Sequence, residues 1–283
     1  MYWEVYESNR VPEEIFQSLQ NTNGKFNLAE RLIYFIKEGK YKEYYLAGII
    51  ENKEVLGIII HTPPFPIQIV ILNNEMKLID YISEKLSSYS NIQMGIVGDK
   101  DYTIKLAEKL YSNWYVAIHE GVYVCHKVIN KFDSVKGHSR ITKNDDIILL
   151  KKWYENFMLE TGLVTELKNL NRDEENNIIL NWIENEAGQL FIDKNKAVSF
   201  VKYLGVGEIF AHVAMVYTPH EYRGNGYAAK NVSLLTKRLL EDYKYTTLYT
   251  DLENPTSNKI YKQIGYVQVG EFVKILPKNE IMS

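Results

Sequence analysis

The chain has 283 residues, of which 46% are hydrophobic, and its formal net charge is −3. This composition excludes a disordered chain, and the absence of a long basic run argues against a nucleic-acid partner. The single cysteine, Cys125, cannot form an intrachain disulfide, so we expect a buried structural residue in a reducing compartment. No apolar stretch reaches the ~18 residues of a membrane span and no signal peptide is visible, which predicts a cytoplasmic protein without a membrane partner.

The N-terminal half begins with helices. Apolar residues at near-helical spacing predict them over residues 12–38. A hairpin follows, with strands Tyr45–Ile50 and Val55–His61 joined by a polar turn. The remaining predicted elements of this half are strand Ile67–Leu72, helix Glu75–Tyr89, strand Ile92–Val97, helix Tyr102–Tyr111, and strands Trp114–Ile118 and Gly121–Val128.

A polar segment at residues 130–140 is the predicted linker to the second half. The elements predicted after it are helix Asp145–Phe157, strands Gln189–Ile192, Ala197–Tyr203 and Ile209–Tyr217, helix Tyr227–Tyr243, strand Thr247–Thr250, helix Pro255–Ile264 and strand Tyr266–Ile275. Hairpins that lead into a strand–helix–strand unit predict an α/β fold with a mixed, largely antiparallel sheet flanked by helices.

The strongest functional signal lies between strand Ile209–Tyr217 and the helix that begins near Tyr227. The loop contains Arg223, Gly224 and Gly226. Glycines let the backbone turn tightly and approach a ligand, and a helix start offers unpaired N–H groups and partial positive charge. Arg223 adds a fixed cation, so the loop suits a pyrophosphate.

The same segment also fits the glycine motif of dinucleotide-binding proteins. Gly224-x-Gly226-x-x-Ala229 matches its glycine spacing, and Asp251 stands near the expected ribose-binding distance. Against this interpretation, five residues, 218–222, separate the strand from Arg223, and the preceding elements are hairpins. A plain strand-to-helix turn without function is a further alternative.

A second constellation follows at residues 251–266. Asn254 and Pro255 have the pattern of a helix start, an N-cap side chain followed by proline at the first helical position. Asn258 and Tyr261 are three residues apart and share a face of the helix, which Gly265 ends. The non-functional alternative is a well-capped short helix with Tyr261 packed at its edge.

Together these motifs resemble the GNAT family of N-acetyltransferases. Their acyl-CoA loop reads Arg/Gln-x-x-Gly-x-Gly/Ala, which Arg223–Ala228 fits, and a later helix carries Asn-x-x-Ala/Ser-x-x-Leu/Ile-Tyr before Gly-Tyr/Phe, as 254–266 do here. The resemblance implies acetyl-CoA as acetyl donor. It implies binding by Val216, Thr218, Arg223, Gly224, Asn225, Gly226, Tyr227, Ala228, Asn254 and Asn258.

The resemblance also implies a reaction in which an amine attacks the thioester directly. Tyr261 would protonate the departing CoA thiolate, and backbone N–H groups near Val216 would stabilise the oxyanion. The base is left open: Glu208 and His212, four apart near the start of the strand, are tentative candidates. No metal is expected, since the histidines form no ligand-spaced cluster.

The predicted function is an acyltransferase that acetylates a primary amine of a small molecule or peptide. Glu155 and Glu160 are candidates for a pocket that accepts a cationic amine, although solvated helix charge would also explain them. The alternatives are a non-catalytic acyl-CoA-binding or sensing protein and, less favoured, a dinucleotide-dependent oxidoreductase. The acceptor and the oligomeric state are not readable from the sequence.

A weak internal repeat predicts two similar halves in tandem. The hairpin turn at Ile50–Val55 resembles the one at Ile192–Ala197, 142 positions later, and Trp114–Val116 resembles Gly265–Val267, 151 positions later. The N-terminal half lacks both the glycine loop and the asparagine–tyrosine helix. We therefore predict a degenerate GNAT-like domain at 1–129 that binds no CoA, and a catalytic GNAT domain at 141–283.

Overall fold

A computed structural model describes residues 1–7, 10–73, 76–129, 131–163, 167–168 and 170–278. The strands are β1 (Tyr2–Val5), β2 (Tyr45–Glu51), β3 (Glu54–His61), β4 (Ile67–Ile71), β5 (Ile96–Asp99), β6 (Trp114–Cys125), β7 (His138–Ile141), β8 (Gly188–Asp193), β9 (Lys196–Val206), β10 (Phe210–Tyr217), β11 (Tyr245–Asp251) and β12 (Val267–Pro277). The helices are α1 (Glu13–Gln20), α2 (Asn27–Lys37), α3 (Met76–Ser87), α4 (Lys100–Leu110), α5 (Ile147–Glu160), α6 (Arg172–Glu184), α7 (Tyr227–Asp242) and α8 (Pro255–Ile264).

The chain forms two compact units, and each contains separate stretches of sequence. Unit 1 comprises Met1–Val124, Tyr249–Asn258 and Gln268–Ser283, and unit 2 comprises Cys125–Leu248 and Lys259–Val267. The last strand therefore belongs in space to the unit built mainly from the N-terminal half. The predicted boundaries at 129 and 141 cut the sequence into two continuous halves, whereas each compact unit is made of separate stretches. These boundaries stay a prediction about two halves in tandem.

In unit 1 the strand order is β1-β2-β3-β4-β5-β12-β6. Neighbours from β1 to β4 are antiparallel, β4 and β5 are parallel, and β12 runs antiparallel to β5. Apolar residues alternate along the strands, so each face of the sheet is covered by its own core. The first core packs beneath α3 and α4 and the second beneath α1 and α2.

In unit 2 the strand order is β7-β8-β9-β10-β11. The pairs are antiparallel except for β10 and β11, which are parallel and joined by α7. Trp153, Trp182 and Phe200 are the large members of the core that α5 and α6 build against β8–β10. The predicted mixed, largely antiparallel α/β fold is confirmed.

The repeat is visible in matching details of the two hairpins. Both shift register by one step at equivalent places, between Ile49 and Ile50 and between Phe191 and Ile192. Both tight turns also place two residues at positive φ, Asn52 with Lys53 and Lys194 with Asn195. This conformation is uncommon outside glycine, so its recurrence 142 positions later supports two similar halves.

Several local predictions were wrong. Residues 138–140 of the predicted linker lie in β7, paired with β8, and Asn130 lies outside the described residues. One continuous strand, β6, replaces the two predicted around residue 120, and a 3-10 turn at Ile92–Met94 precedes a later β5. Glu75, predicted to start a helix, also lies outside the described residues. Cys125 is buried as expected, and burial raises the pKa of its thiol to about 11.

Candidate functional site

The predicted phosphate loop follows a strand that separates from its neighbour. Parallel pairing between β10 and β11 covers Phe210–His212 against Tyr245–Thr247, and among the described residues β10 runs on to Tyr217 beyond its last pair with β11. A bulge between Ala214 and Tyr217 shifts the register against β9, and Met215 within it has φ +48°. A bulge leaves its extra residue out of the ladder, so the backbone near Val216 is not fully used in pairing between strands.

The N-terminal half keeps the corresponding strands together. Gln68 pairs with Ile60, and 142 positions later Lys202 pairs with Ala214, so Gln68 and Ala214 are equivalent. Gln68 is still paired in parallel with Val97, whereas Ala214 lies beyond the last parallel pair of β10. The sheet is thus closed in unit 1 at the position where it is open in unit 2.

The loop itself is built around two left-handed glycines. Gly224 has φ +79° and Gly226 has φ +77°, a conformation that favours glycine. Gly226 is the N-cap residue of α7 and caps it without a side-chain hydrogen bond. Because the first N–H groups of a helix have no intrahelical partners, this end of α7 can bind an anion.

Side-chain hydrogen bonds within the loop and one ion pair to α5 fix its geometry. Arg223 donates from Nε to the Thr218 carbonyl at 2.8 Å and forms an ion pair with Glu160 at the end of α5. Asn225 donates from Nδ2 to the carbonyls of Tyr222 and Arg223, each at 3.1 Å. Glu160, predicted as an acceptor-pocket residue, therefore contacts the loop instead, while Glu155 lies exposed on the same helix.

The start of α7 is held by the tip of the β8–β9 hairpin. The Tyr227 hydroxyl donates to Asp193 at 2.7 Å, and this bond raises the pKa of the phenol. Unit 1 has the same arrangement with other chemistry, since Lys77 near the start of α3 pairs with Glu51 at 2.9 Å. An acid at the end of the hairpin thus contacts the helix start in both halves.

The predicted linker supplies contacts that sequence analysis missed. A Cβ atom at Gly226 would lie 3.0 Å from a methyl of Val135, so there is little room beside this glycine. Lys230 on the first turns of α7 pairs with Asp133 at 2.9 Å. No motif identified these residues, because their polar segment has the composition of an ordinary connection.

Tyr261 lies on α8 and is partly exposed, but desolvation raises the pKa of its phenol to about 12. Its ring packs edge-on against Tyr266 with centroids 6.1 Å apart. The Tyr266 hydroxyl is hydrogen-bonded to Thr236 of α7 at 2.9 Å and to Thr246 of β11 at 3.0 Å. Tyr266 therefore anchors the end of α8, and its ring packs against that of Tyr261.

The two asparagines differ in their local roles. Asn254 accepts a hydrogen bond from the Ser257 N–H at 3.2 Å, the geometry of an N-cap. Asn258 donates from Nδ2 to the carbonyls of Asp251 and Leu252, at 3.1 and 3.3 Å. Its Oδ1 is buried and accepts no hydrogen bond from the described residues. Asn258 thus has one buried acceptor without a donor among the described residues.

The tentative bases lie at the far end of β10 from the loop. Glu208 is exposed in the turn before the strand rather than within it, and His212 is buried with Nδ1 2.9 Å from the Thr247 hydroxyl. Val216 follows His212 along β10, beyond the last parallel pair and within the bulge. The structure therefore does not bring either side chain to the loop.

Comparison with known families supports the fold assignment. Residues 193–273 match the family model described as FR47-like protein. No curated protein matches the sequence. A GNAT-family acetyltransferase from Colwellia psychrerythraea has a TM-score of 0.58 at 14% identity, with 98% of this chain and 100% of that chain covered. The fold is that of the GNAT acetyltransferases.

Two further structures share this GNAT fold over the full chain. A GCN5-related N-acetyltransferase from Sphaerobacter thermophilus has a TM-score of 0.63 at 10% identity, covering 97% of this chain and 94% of that one. A tandem GNAT protein from the clavulanic acid biosynthesis pathway has a TM-score of 0.51 at 6% identity, with 97% of each chain covered. A tandem arrangement of GNAT-like halves thus has a structural precedent.

None of the described helices is both long and apolar enough to cross a bilayer. Within the same described ranges, no group of three or more His, Cys, Asp or Glu side chains is arranged to hold a metal ion.

Proposed function

We propose that this protein is an acetyl-CoA-dependent N-acetyltransferase that transfers the acetyl group to a primary amine. The observation that carries the proposal is the bulged end of β10, which lies beyond the last parallel pair with β11 and leads into a left-handed glycine loop at the start of α7. The strand end offers backbone donors to a thioester, and the helix start offers donors to a pyrophosphate. A cytoplasmic location and a small-molecule or peptide acceptor are further predictions.

The chain's own groups account for the chemistry. The amine nitrogen forms a bond to the thioester carbonyl carbon, and N–H groups near Val216 stabilise the resulting oxyanion. The carbon–sulfur bond then breaks, and Tyr261 donates a proton to the sulfur. A phenol with a pKa of about 12 is a weaker acid than an ordinary thiol, so this proton moves only as charge develops on sulfur.

Removal of the amine proton requires a base within hydrogen-bond reach or one water away. Glu208 and His212 stay predictions for this role, but their positions at the start of β10 favour a base elsewhere or release of the proton to water. Asn254 and Asn258 stay predicted contacts to the pantetheine arm. Both side chains already bond to the backbone of the chain, Asn254 as an N-cap and Asn258 through Nδ2.

An oxidoreductase that uses a dinucleotide is the less favoured candidate. Its glycine fingerprint should follow a strand within a parallel sheet that starts the fold. Here β8, β9 and β10 are antiparallel, and a 3-10 turn at His220–Tyr222 separates β10 from the glycines. A non-catalytic acyl-CoA-binding protein would also bind acetyl-CoA, so only a measurement of turnover distinguishes it from an enzyme.

The decisive experiment is isothermal titration calorimetry of the full chain with acetyl-CoA and, separately, with NAD. Gly224 is the position to change, because no atom lies within 4 Å of a Cβ placed there and asparagine tolerates its left-handed backbone. We expect Gly224→Asn to weaken acetyl-CoA binding by about tenfold or more, since its side chain blocks close backbone approach. Gly39→Asn, at a left-handed and open position in unit 1, is the matched control.

Three outcomes count against the proposal. Binding of NAD without binding of acetyl-CoA would favour the oxidoreductase. Equal acetyl-CoA affinity in wild type, Gly224→Asn and Arg223→Gln would remove this loop from the site. Tight binding with no CoA release across a panel of primary amines would leave a binding protein rather than an enzyme.

A further inference from the structure

The bulged end of β10 is held by one buried serine on the neighbouring strand. Ser199 of β9 is fully buried, and its hydroxyl donates to the Tyr217 carbonyl at 3.2 Å. The same hydroxyl accepts a hydrogen bond from the Thr218 hydroxyl at 3.0 Å. One oxygen therefore bonds to the last residue of the strand and to the first residue after it.

This contact continues into the phosphate loop. The Thr218 carbonyl accepts the 2.8 Å hydrogen bond from Arg223 Nε, and Arg223 immediately precedes the two glycines of the loop. Register with β9 is lost at the bulge and restored at the pair Phe200–Tyr217. Ser199 stands next to that pair, at the point where β10 must be fixed again before the loop begins.

The N-terminal half provides an internal comparison. Position 57 is equivalent to 199, because Ile58 pairs with Val70 as Phe200, 142 positions later, pairs with Tyr217. Residue 57 is glycine, and a Cβ atom there would lie 2.9 Å from the Val70 carbonyl oxygen. The recorded β3–β4 register runs without a shift from Gly57–Ile71 to Ile60–Gln68.

The carbonyls of Val70 and Tyr217 stand at equivalent positions but have different surroundings in the two halves. In the regular strand the carbonyl of Val70 comes so close that only glycine fits opposite it. In the bulged strand a serine stands at the equivalent position, and its hydroxyl donates to the carbonyl of Tyr217 at 3.2 Å. A buried carbonyl that loses a hydrogen-bond donor is destabilised, so the Ser199 hydroxyl stabilises the bulged form.

We propose that Ser199 is a positioning residue of the acetyl-CoA site, which fixes the bulged end of β10 and the loop after it. This inference rests on the proposed function. Ser199 would not contact the ligand itself. It would act by holding Tyr217 and Thr218, so that the backbone donors near Val216 and in the loop are in place before acetyl-CoA binds.

The test compares three variants of the full chain by acetyl-CoA calorimetry and thermal unfolding. Ser199→Ala removes one oxygen, and we expect acetyl-CoA affinity to fall roughly tenfold, the scale of one unmade hydrogen bond. Ser199→Thr restores a hydroxyl and should recover most of the affinity. Thr142→Val is the matched control, because it removes another buried hydroxyl of unit 2, 3.3 Å from the Gly188 carbonyl, away from the loop.

A positioning role predicts that Ser199→Ala and Thr142→Val both lower the melting temperature, while only Ser199→Ala weakens acetyl-CoA binding. Equal affinities of Ser199→Ala and wild type would overturn the inference, as would an equal loss in Thr142→Val. A wild-type chain that does not bind acetyl-CoA would instead overturn the proposed function, so the two failures are distinguishable.

Discussion

At the scale of single residues, Tyr261 is the side chain with the most specific predicted role. Tyr261→Phe removes only the hydroxyl and keeps the ring that packs on Tyr266. We expect turnover to fall by about 10²-fold or more while acetyl-CoA still binds, because the general acid is lost. Steady-state kinetics with calorimetry measure both effects. Tyr203→Phe is the control, and wild-type turnover in Tyr261→Phe, measured where chemistry limits the rate, would exclude Tyr261 from the mechanism.

The pKa of Tyr261 sets its contribution to the pH–rate profile. A proton donor is active below its pKa and inactive above it. Burial raises the pKa of the Tyr261 phenol from 10.0 to about 12. We therefore expect no alkaline loss of activity from Tyr261 between pH 7 and about pH 10, near the pKa of an unperturbed tyrosine. Profiles of wild type and Tyr261→Phe test this. An alkaline limb near pH 10 that is present only in the wild type would contradict the raised pKa of Tyr261.

At the scale of elements, the end of α8 depends on a glycine. Gly265 has φ +120°, and a Cβ atom there would collide with the Lys127 carbonyl oxygen. Gly39 is also left-handed, at φ +69°, but nothing lies within 4 Å of its Cβ position. We expect Gly265→Ala to lower the unfolding free energy by about 1–3 kcal/mol or more from strain and collision, and Gly39→Ala to lower it by about 1 kcal/mol. Thermal unfolding of both variants checks the order, and equal melting temperatures would count against it.

The elements that carry the motifs could be predicted from the sequence because their signals are local. The predicted start of α7 at Tyr227, the predicted bounds of α8 and the turn at 51–54 all agree with the structure. Each depends on residues within one or two turns of chain: left-handed glycines, a proline at a helix start, and polar residues between apolar runs. The same local character made the GNAT resemblance recognisable.

Other elements depend on distant partners and were missed. The short strand β7 has the mostly polar sequence His138–Ile141 and forms because β8 pairs with it. Helix α6 buries only Ile179 and Trp182 among many polar residues, so its apolar periodicity is weak, although Asn171 and Glu174 form a capping box at its start. The contacts of Asp133, Val135 and Ser199 with the loop region are also non-local, and no spacing within the sequence reveals them.

At the scale of the whole molecule, the two compact units do not correspond to the two halves of the sequence. Strand β12 is last in the chain, yet it pairs with β5 of the N-terminal half through Phe272–Ile275. The sequence predicted this strand at nearly the right residues, but it did not predict β5 as the partner. Pairing between distant strands produces no periodic pattern in the sequence. Unit 1 therefore requires the end of the chain to complete its sheet.

The whole molecule should bind one acetyl-CoA per chain, although both halves share the same fold. In unit 2 the parallel ladder ends at His212, and a bulge and a glycine loop follow. In unit 1 the ladder continues through Ile69–Gly98, at positions equivalent to the open part of β10, and the chain after Ile71 carries no Arg-x-x-Gly-x-Gly motif. A thioester has no opened strand to bind there, and a pyrophosphate has no glycine cradle. Calorimetry of the full chain should therefore give a stoichiometry near one, and Gly224→Asn should weaken that single event. A stoichiometry of two, with one binding event unaffected by Gly224→Asn, would contradict this prediction. It would show a second acetyl-CoA site outside the glycine loop.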